Sequence, residues 1–135
     1  MGQIRKAVLG RRKSSHTVMV VHPSEFVSVA LASGLAAKGY RVFPLGSATQ
    51  ALSALEATRV DLVVIAWDDT EMGRLGLLKN LRENPRFEHL PVVVWAPDPT
   101  HLDVFDAYHL GADIVLDSDE LASAIAAIDY LLNPV

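Results

Sequence analysis

The sequence predicts an α/β domain in which a five-stranded parallel sheet is covered by helices on both faces. Five short, valine-rich runs alternate with five segments of helical spacing. The run from Val60 to Trp67 is apolar at almost every position, as expected for a strand that is buried on both faces. Alternation at this spacing favours right-handed βαβ units. The 135 residues, 50% of them hydrophobic, are enough for one domain with a sizeable core.

The first strand and helix are separated by a clear break. Thr17 to Val21 is a short run rich in β-branched side chains, which favours a buried strand. Ser24, after a histidine and a proline, has the chemistry of an N-cap. Apolar and small residues then recur at helical spacing, beginning with Phe26 and Val29, so we expect a helix up to Gly39.

The second strand is expected from Tyr40 to Pro44, and it contains a proline. The Pro44 ring removes a backbone donor, so this strand should lie at an edge of the sheet or end there. A helix over Thr49 to Ala57 follows. Its inward-facing side chains are expected to be Ala51, Leu52 and Leu55.

The second half of the chain repeats the alternation. A polar loop, Asp68 to Gly73, leads to a third helix that ends near Asn84. Gly111 suits the C′ position behind the fourth helix, and Asp117-Ser-Asp-Glu120 has the form of a capping box. The remaining expected elements are a strand from Pro91 to Ala96, a helix from the turn at 97–100 to Leu110, a strand from Ile114 to Leu116, and a helix from Leu121 to Leu132.

Charge divides the chain into two regions. Five of the 12 basic residues and none of the 16 acidic residues precede Thr17, so this leader carries +5 and the remaining residues carry −9. We therefore expect residues 1–16 to form a basic, flexible N-terminal arm and residues 17–135 to form the domain. The alternative is an arm that touches an acidic partner, a membrane surface or nucleic acid. The acidic body argues against nucleic acid as the main ligand.

Composition excludes several classes of function. The chain has no cysteine, so disulfides, thiolate nucleophiles and Cys-ligated zinc are excluded, which fits a cytoplasmic location. Its apolar runs fall well short of the roughly 20 residues that cross a bilayer, so we expect no membrane span. The motifs GxGxxG, GxxxxGK[ST], GxSxG and HExxH do not occur. We expect no catalytic residue, no cofactor and no metal site.

Several fragments together resemble the receiver domains of bacterial response regulators, the CheY-like family. The segment from Asp61 to Trp67, followed by Met72 and Leu77-Leu-Lys, is similar to the third strand and third helix of chemotaxis receivers. The resemblance covers residues 17–132 and implies a flavodoxin-like fold with strand order 2-1-3-4-5. It also implies a role in two-component or phosphorelay signalling. Further matching fragments are Gly39-Tyr-Arg-Val, Gln50-Ala-Leu, Pro91-Val-Val-Val and Gly111-Ala-Asp.

The resemblance fails at each position that carries the phosphotransfer chemistry of the family. His22 and Pro23 stand where receivers place two acidic Mg²⁺ ligands, and neither side chain supplies the oxygen that Mg²⁺ prefers. Ala66 stands at the phospho-accepting aspartate, and a methyl group cannot accept a phosphoryl group. Ala96 replaces the hydroxyl that ends the fourth strand, and Ser118 replaces the lysine. The resemblance therefore implies a degenerate, aspartate-less receiver, or pseudo-receiver.

Other polar residues do not restore this chemistry. Asp68 and Asp69 follow Ala66, but without neighbouring carboxylates or the lysine they lack the positioned cation that phosphoryl transfer needs. We expect them to lie in a solvated loop. Of the five histidines, only His22 follows a strand at the edge where such sheets build their sites, and no two are spaced i, i+4.

In the receiver family, partners and second copies usually bind the face made by the fourth helix, the fifth strand and the fifth helix. His101, Val104 and Tyr108 fall on one stripe of that helix, and Val115 takes the family's aromatic switch position in that strand. Phe105 and Leu110 are assigned to the core instead. The resemblance implies a non-enzymatic module that binds a signalling protein, or itself, independently of phosphorylation.

A ligand-sensing pseudo-receiver is the alternative function. Without the acidic residues, the crevice at the strand ends is less charged and suits a small molecule. It would be flanked by His22, Pro23, Ala66, Trp67 and Ala96. A small enzyme on this fold is disfavoured, because the sequence offers no nucleophile with a neighbouring base.

Overall fold

The computed structural model describes residues 16–67, 75–97 and 101–134, with residues 101 and 102 described by their backbone alone. The expectations for the basic arm and for the loop at Asp68 and Asp69 therefore lie outside the described residues. In the described part, strands and helices alternate: β1 (Thr17–Val21), α1 (Glu25–Ala37), β2 (Arg41–Leu45), α2 (Ala48–Ala57), β3 (Leu62–Ala66), α3 (Gly76–Glu83), β4 (Val92–Trp95), α4 (His101–His109), β5 (Ile114–Leu116) and α5 (Leu121–Leu132).

The five strands form one parallel sheet in the order β2-β1-β3-β4-β5, which confirms the expected flavodoxin-like fold. In the register, Val21 lies opposite both Leu45 and Ile65, and Ala66 lies opposite Trp95. Strand β2 lies at an edge and passes through Pro44, as the missing backbone donor predicts.

Side chains that alternate along the strands divide the core into two layers. Met19 and Val63 belong to the layer that is covered by α2, α3 and α4. Val18 and Val64 belong to the layer that is covered by α1 and α5. Strands β1 and β3 are buried at every position, and each fully buried Val or Leu contributes about 1.5–3 kcal/mol of hydrophobic stabilisation.

Two helix starts differ in how they are capped. The Ser24 hydroxyl accepts a hydrogen bond from Val27 N at 3.3 Å, so the predicted N-cap of α1 is confirmed. The predicted capping box before α5 is wrong, because Glu120 is itself the N-cap residue and makes no side-chain cap. The backbone at Glu120 is extended, and its N–H donates to the Ser118 hydroxyl at 3.1 Å instead.

Carboxylates accept hydrogen bonds from backbone N–H groups at the amino ends of β1 and β4. Asp61 accepts a hydrogen bond from Thr17 N at 2.7 Å, and Asp113 accepts one from Val92 N at 2.8 Å. Arg82 donates to Asp113 at 3.1 Å and to the Gly111 carbonyl at 2.8 and 3.0 Å. These contacts satisfy polar groups at this edge, which we call the amino edge of the sheet.

Two aromatic side chains that follow helical periodicity are exposed rather than buried. Phe26 is 83% exposed, and Phe105, assigned to the core from the sequence, is 64% exposed, so that assignment is wrong. Each lies two positions before a buried residue, Ser28 or Ala107, and two helical positions correspond to a rotation of roughly 200°. Leu110 packs against the core, as expected.

Candidate functional site

The candidate site lies at the carboxyl ends of β1, β3 and β4, where a sheet of this strand order has its switch point. Ala66 ends β3 and is 2% exposed, and Ala96 follows β4 and is 1% exposed. Backbone hydrogen bonds fix both positions: Trp67 N donates to Trp95 O at 3.0 Å, and Ala96 N donates to Leu116 O at 2.9 Å. The strand ends therefore present two buried methyl groups and no nucleophile.

His22 follows β1 and turns the chain toward α1. Its backbone N–H donates to Leu45 O at 3.0 Å, and its ring Nδ1 accepts a hydrogen bond from Ser24 N at 2.9 Å. Because Nδ1 accepts this bond, it carries no proton and its lone pair is already used. The ring also packs edge-on against Trp95, with centroids 6.0 Å apart. Pro23 is exposed and has no polar side-chain atom, so neither residue offers a carboxylate to a cation.

Ser118 follows β5 and makes one local hydrogen bond and one long-range hydrogen bond. Its hydroxyl accepts the Glu120 N–H, and its carbonyl accepts the Trp95 indole N–H at 2.6 Å. The residue is half-buried and carries no charge. The structure connects two of the predicted pocket residues, His22 and Ser118, through Trp95, which was not predicted to belong to the pocket, on the side of α1 and α5.

Two described cavities adjoin His22. A mainly apolar cavity of about 290 Å³, which we call the α1–α5 groove, is lined by His22, Phe26, Val27, Ala30, Trp95, Pro97, Asp119 and Leu121. A second cavity of about 340 Å³ has Glu25, Ser28 and Gln50 among its lining residues. Ala66 and Ala96 line neither cavity.

The predicted partner face is only partly accessible. Tyr108 is 48% exposed, and its hydroxyl accepts a hydrogen bond from Val115 N at 3.0 Å, which covers an outward donor of the edge strand β5. Val104 and Val115 are half-buried, and His101 begins α4. Phe105, which was not predicted for this face, is exposed on α4, and its ring stacks on His109 with centroids 5.8 Å apart. The i, i+4 spacing of these two rings was the available signal.

No protein-family model matches the sequence, and no curated protein matches it. Solved structures do match. The receiver domain of the Francisella response regulator 1452 superposes with a TM-score of 0.80 at 18% identity, covering 88% of this chain and 98% of that chain. The fold is that of a receiver domain.

Two further structures with the receiver fold match over a similar extent. The receiver domain of a signal transduction histidine kinase from Syntrophus aciditrophicus gives a TM-score of 0.79 at 22% identity, covering 89% of this chain and 92% of that one. The chemotaxis protein CheY4 of Vibrio cholerae gives 0.78 at 16% identity, covering 84% and 96%. At these identities, the likeness concerns the fold.

The described side chains and helices show neither a metal cluster nor a membrane span. Within residues 16–67, 75–97 and 101–134, no group of three His, Cys, Asp or Glu side chains is placed to hold a metal ion. In the same part of the chain, no helix is long and apolar enough to cross a bilayer.

Proposed function

We propose that this chain is a pseudo-receiver of two-component or phosphorelay-type signalling that binds a protein partner in the cytoplasm without being phosphorylated. The observation that most directly supports this proposal is Ala66. It is a buried methyl group at the strand end where the family resemblance puts the phospho-acceptor. Phosphoryl transfer relies on a positioned nucleophile and on cations that neutralise developing charge. With His22 Nδ1 and the Ser118 hydroxyl both held in local hydrogen bonds, the described site supplies neither requirement. We therefore also propose that the chain is not an enzyme.

The proposed binding surface is the face made by α4, β5 and α5. Phe105 and Tyr108 expose large parts of their rings there, and aromatic side chains are enriched among the residues that dominate interface energetics. Because the Tyr108 hydroxyl covers the Val115 N–H, a partner would bind the aromatic surface in preference to adding a strand. The partner is a signalling protein or a second copy of this chain.

Incubation with acetyl phosphate and Mg²⁺, followed by intact-mass measurement, tests the chemical half of the proposal. We expect no phosphoryl adduct, while an aspartate-containing receiver treated in parallel should acquire one. A stoichiometric adduct on this chain would overturn the proposal and direct attention to Asp68 and Asp69.

A pair of matched variants tests the binding half. Phe105→Ala removes an exposed ring from α4, and Phe43→Ala removes a ring that is 41% exposed on β2, at the opposite edge of the sheet. We expect a partner isolated with the native protein to lose affinity for Phe105→Ala and to keep it for Phe43→Ala. Equal binding by both variants would exclude the α4 face.

A small-molecule-sensing pseudo-receiver is the second candidate. It is favoured by the apolar α1–α5 groove beside His22, whose volume of about 290 Å³ is close to the lower limit for ligand pockets. Native mass spectrometry of the purified chain would support this candidate by detecting a stoichiometric bound ligand. A spectrum of ligand-free protein, together with loss of partner binding in Phe105→Ala, would favour the first candidate.

A further inference from the structure

The α1–α5 groove leaves apolar surface uncovered among the described residues. At Gly34, α1 and α5 pack so closely that an added Cβ would lie 2.6 Å from Ile125 Cδ1. Nearer the helix N-termini, the groove lies between the two helices, and Phe26 beside it is 83% exposed. Leu121, on the α5 side of the groove, is 37% exposed. An exposed apolar patch next to a cavity indicates a surface suited to an occupant.

The charges around the groove indicate the charge that its occupant should carry. The segments 22–37 and 117–132, which contain α1 and α5 and the loops before them, have no lysine or arginine. Asp119 itself lines the groove. An occupant with positive charge would complement these segments. Their acidic residues near the groove, which we call the acidic rim, are Glu25, Asp117, Asp119 and Glu120, whereas Asp129 lies near the other end of α5.

The N-terminal arm joins the domain on the same side of the sheet. His16 stacks on Tyr40, with ring centroids 6.3 Å apart. Tyr40 belongs to the core layer under α1 and α5, and its hydroxyl donates to Asp129 of α5. Strand β1 spans about 17 Å between this point and the carboxyl ends of the strands, which we call the carboxyl edge of the sheet. The six residues 10–15 can extend about 20 Å, so residue 9 can reach the groove.

We propose that the N-terminal arm of the same chain docks reversibly in the α1–α5 groove. Ile4, Val8 and Leu9 supply three aliphatic side chains within six residues of this arm. These side chains would contact Phe26 and Leu121. The basic residues that would face the acidic rim are Arg5, Lys6, Arg11, Arg12 and Lys13.

The docked arm would cover the groove and would not be needed for folding. The described domain already has both core layers, and ordering a short segment costs conformational entropy that three aliphatic side chains offset only in part. Docking of the arm should therefore be reversible. Salt should favour the undocked arm, because it screens the charges that attract the arm to the groove. This proposal does not depend on the face that a signalling partner uses.

Disulfide trapping in the full chain tests the proposal. The natural sequence has no cysteine, so no native thiol can compete with the introduced pair. The test variant carries Val8→Cys and Leu121→Cys, which join the arm to the groove. The control variant carries Val8→Cys and Ala57→Cys. Ala57 is exposed at the C-terminal end of α2, which packs on the opposite face of the sheet. That position lies toward the amino edge where the arm begins, so an undirected arm would reach it at least as readily.

Under mild oxidation at low salt, we expect the test pair to close several-fold faster than the control pair and to give a monomeric product by non-reducing electrophoresis and intact mass. The advantage should shrink at high salt. Equal rates for the two pairs would overturn the proposal. A covalent dimer of the test variant would also overturn docking within one chain and would indicate docking on a second copy.

A substitution in the groove provides an independent control. Phe26→Ala, added to the test pair, should slow disulfide closure, and Phe43→Ala should leave it unchanged. Both rings are exposed, so circular dichroism should show an intact fold in either variant. If Phe26→Ala closes as fast as its parent, the arm does not use the groove.

Discussion

The two edges of the sheet differ in their polar chemistry. At the amino edge, Asp61 and Asp113 accept backbone N–H groups, and Arg82 ties Asp113 to a neighbouring loop. At the carboxyl edge, the corresponding strand ends present the methyl groups of Ala66 and Ala96. In this chain, charged side chains satisfy backbone groups at the amino edge, whereas backbone hydrogen bonds hold Trp67, next to Ala66, and Ala96 at the carboxyl edge.

The difference has a simple physical origin. The first residues of a strand carry donors that the sheet ladder has not yet paired, so an acceptor is required there whatever the protein does. At the carboxyl edge, Ala66 and Ala96 follow buried strands and are held by backbone bonds. A side chain at these positions can therefore be apolar without leaving a backbone donor of the strand unpaired.

The largest effect is expected when the amino edge is broken at Arg82. Arg82→Ala removes bonds to the Gly111 carbonyl and to Asp113 and should lower the free energy of unfolding by about 2–4 kcal/mol. Arg59→Ala is the matched control, since the Arg59 side chain is 91% exposed and pairs with Asp61 at 3.7 Å. That variant should change stability by less than about 1 kcal/mol. Urea denaturation measures both variants, and similar losses would refute the contrast.

At the carboxyl edge, the most informative variant introduces a carboxylate at Ala66. Ala66→Asp should lower the free energy of unfolding by about 1–3 kcal/mol without restoring phosphorylation, because a buried carboxylate would lack a cation or donor. Ala122→Asp, at an exposed position in the first turn of α5, should leave stability unchanged or raise it slightly. A denaturant midpoint for Ala66→Asp at or above wild type would mean that the edge is already hydrated.

The pH dependence of stability tests a hydrogen-bonded tyrosine near the amino edge. Burial raises the pKa of Tyr40, and its hydrogen bond to the Asp129 carboxylate raises this pKa further. The folded state therefore holds the phenol proton to higher pH than the unfolded state does. The resulting stability is fully present below about pH 10 and is lost as the pH rises above that value.

Tyr40→Phe should weaken this alkaline loss and should cost about 1 kcal/mol at neutral pH. Tyr130→Phe, which alters a ring that is 64% exposed on α5, is the control and should keep the wild-type profile. Thermal melts between pH 7 and about pH 11 measure both variants. An unchanged alkaline slope in Tyr40→Phe would exclude this tyrosine as its source.

The smallest effect is expected from removing the arm. Deletion of residues 2–15 should shift the melting temperature by no more than about 5 °C, since the arm contributes at most about 1 kcal/mol if it docks reversibly. Light scattering should give the same number of chains per particle for both proteins. A much larger fall in melting temperature, or a change of oligomeric state, would show that the arm is part of the folded structure.

The sequence was sufficient for the strands and helices because each strand carries its own signal, whereas the strand order was predicted from the family resemblance. Val60 to Trp67 is apolar enough to require burial on both faces, and Pro44 marks an edge strand. Helix orientation was harder to predict, because α4 has apolar side chains on more than one side. Small Ala107 is buried while Phe105 is exposed, and residue size alone predicts the reverse.

The site was predicted by position and not by contact. Ala66, Ala96 and Ser118 were predicted because the family resemblance assigns phosphotransfer roles to these positions, and each stands at or after the end of a strand. The bond from Ser24 N to His22 Nδ1 depends on a turn geometry that periodicity does not contain. The same is true of the Val115 donor that Tyr108 covers, since it joins two elements across a loop.

The placement of the two tryptophans makes the carboxyl edge observable by intrinsic tryptophan fluorescence. Trp67 and Trp95 are the only tryptophans in the chain; Trp95 is 4% exposed, and Trp67 is half-buried. The Trp95 ring faces the α1–α5 groove and the His22 imidazole, whereas Trp67 lines a cavity with residues of α4. Intrinsic emission therefore carries two separable signals, one from each side of the sheet. Trp67→Phe and Trp95→Phe would each leave a single unlabelled fluorophore that reports which side an added molecule occupies.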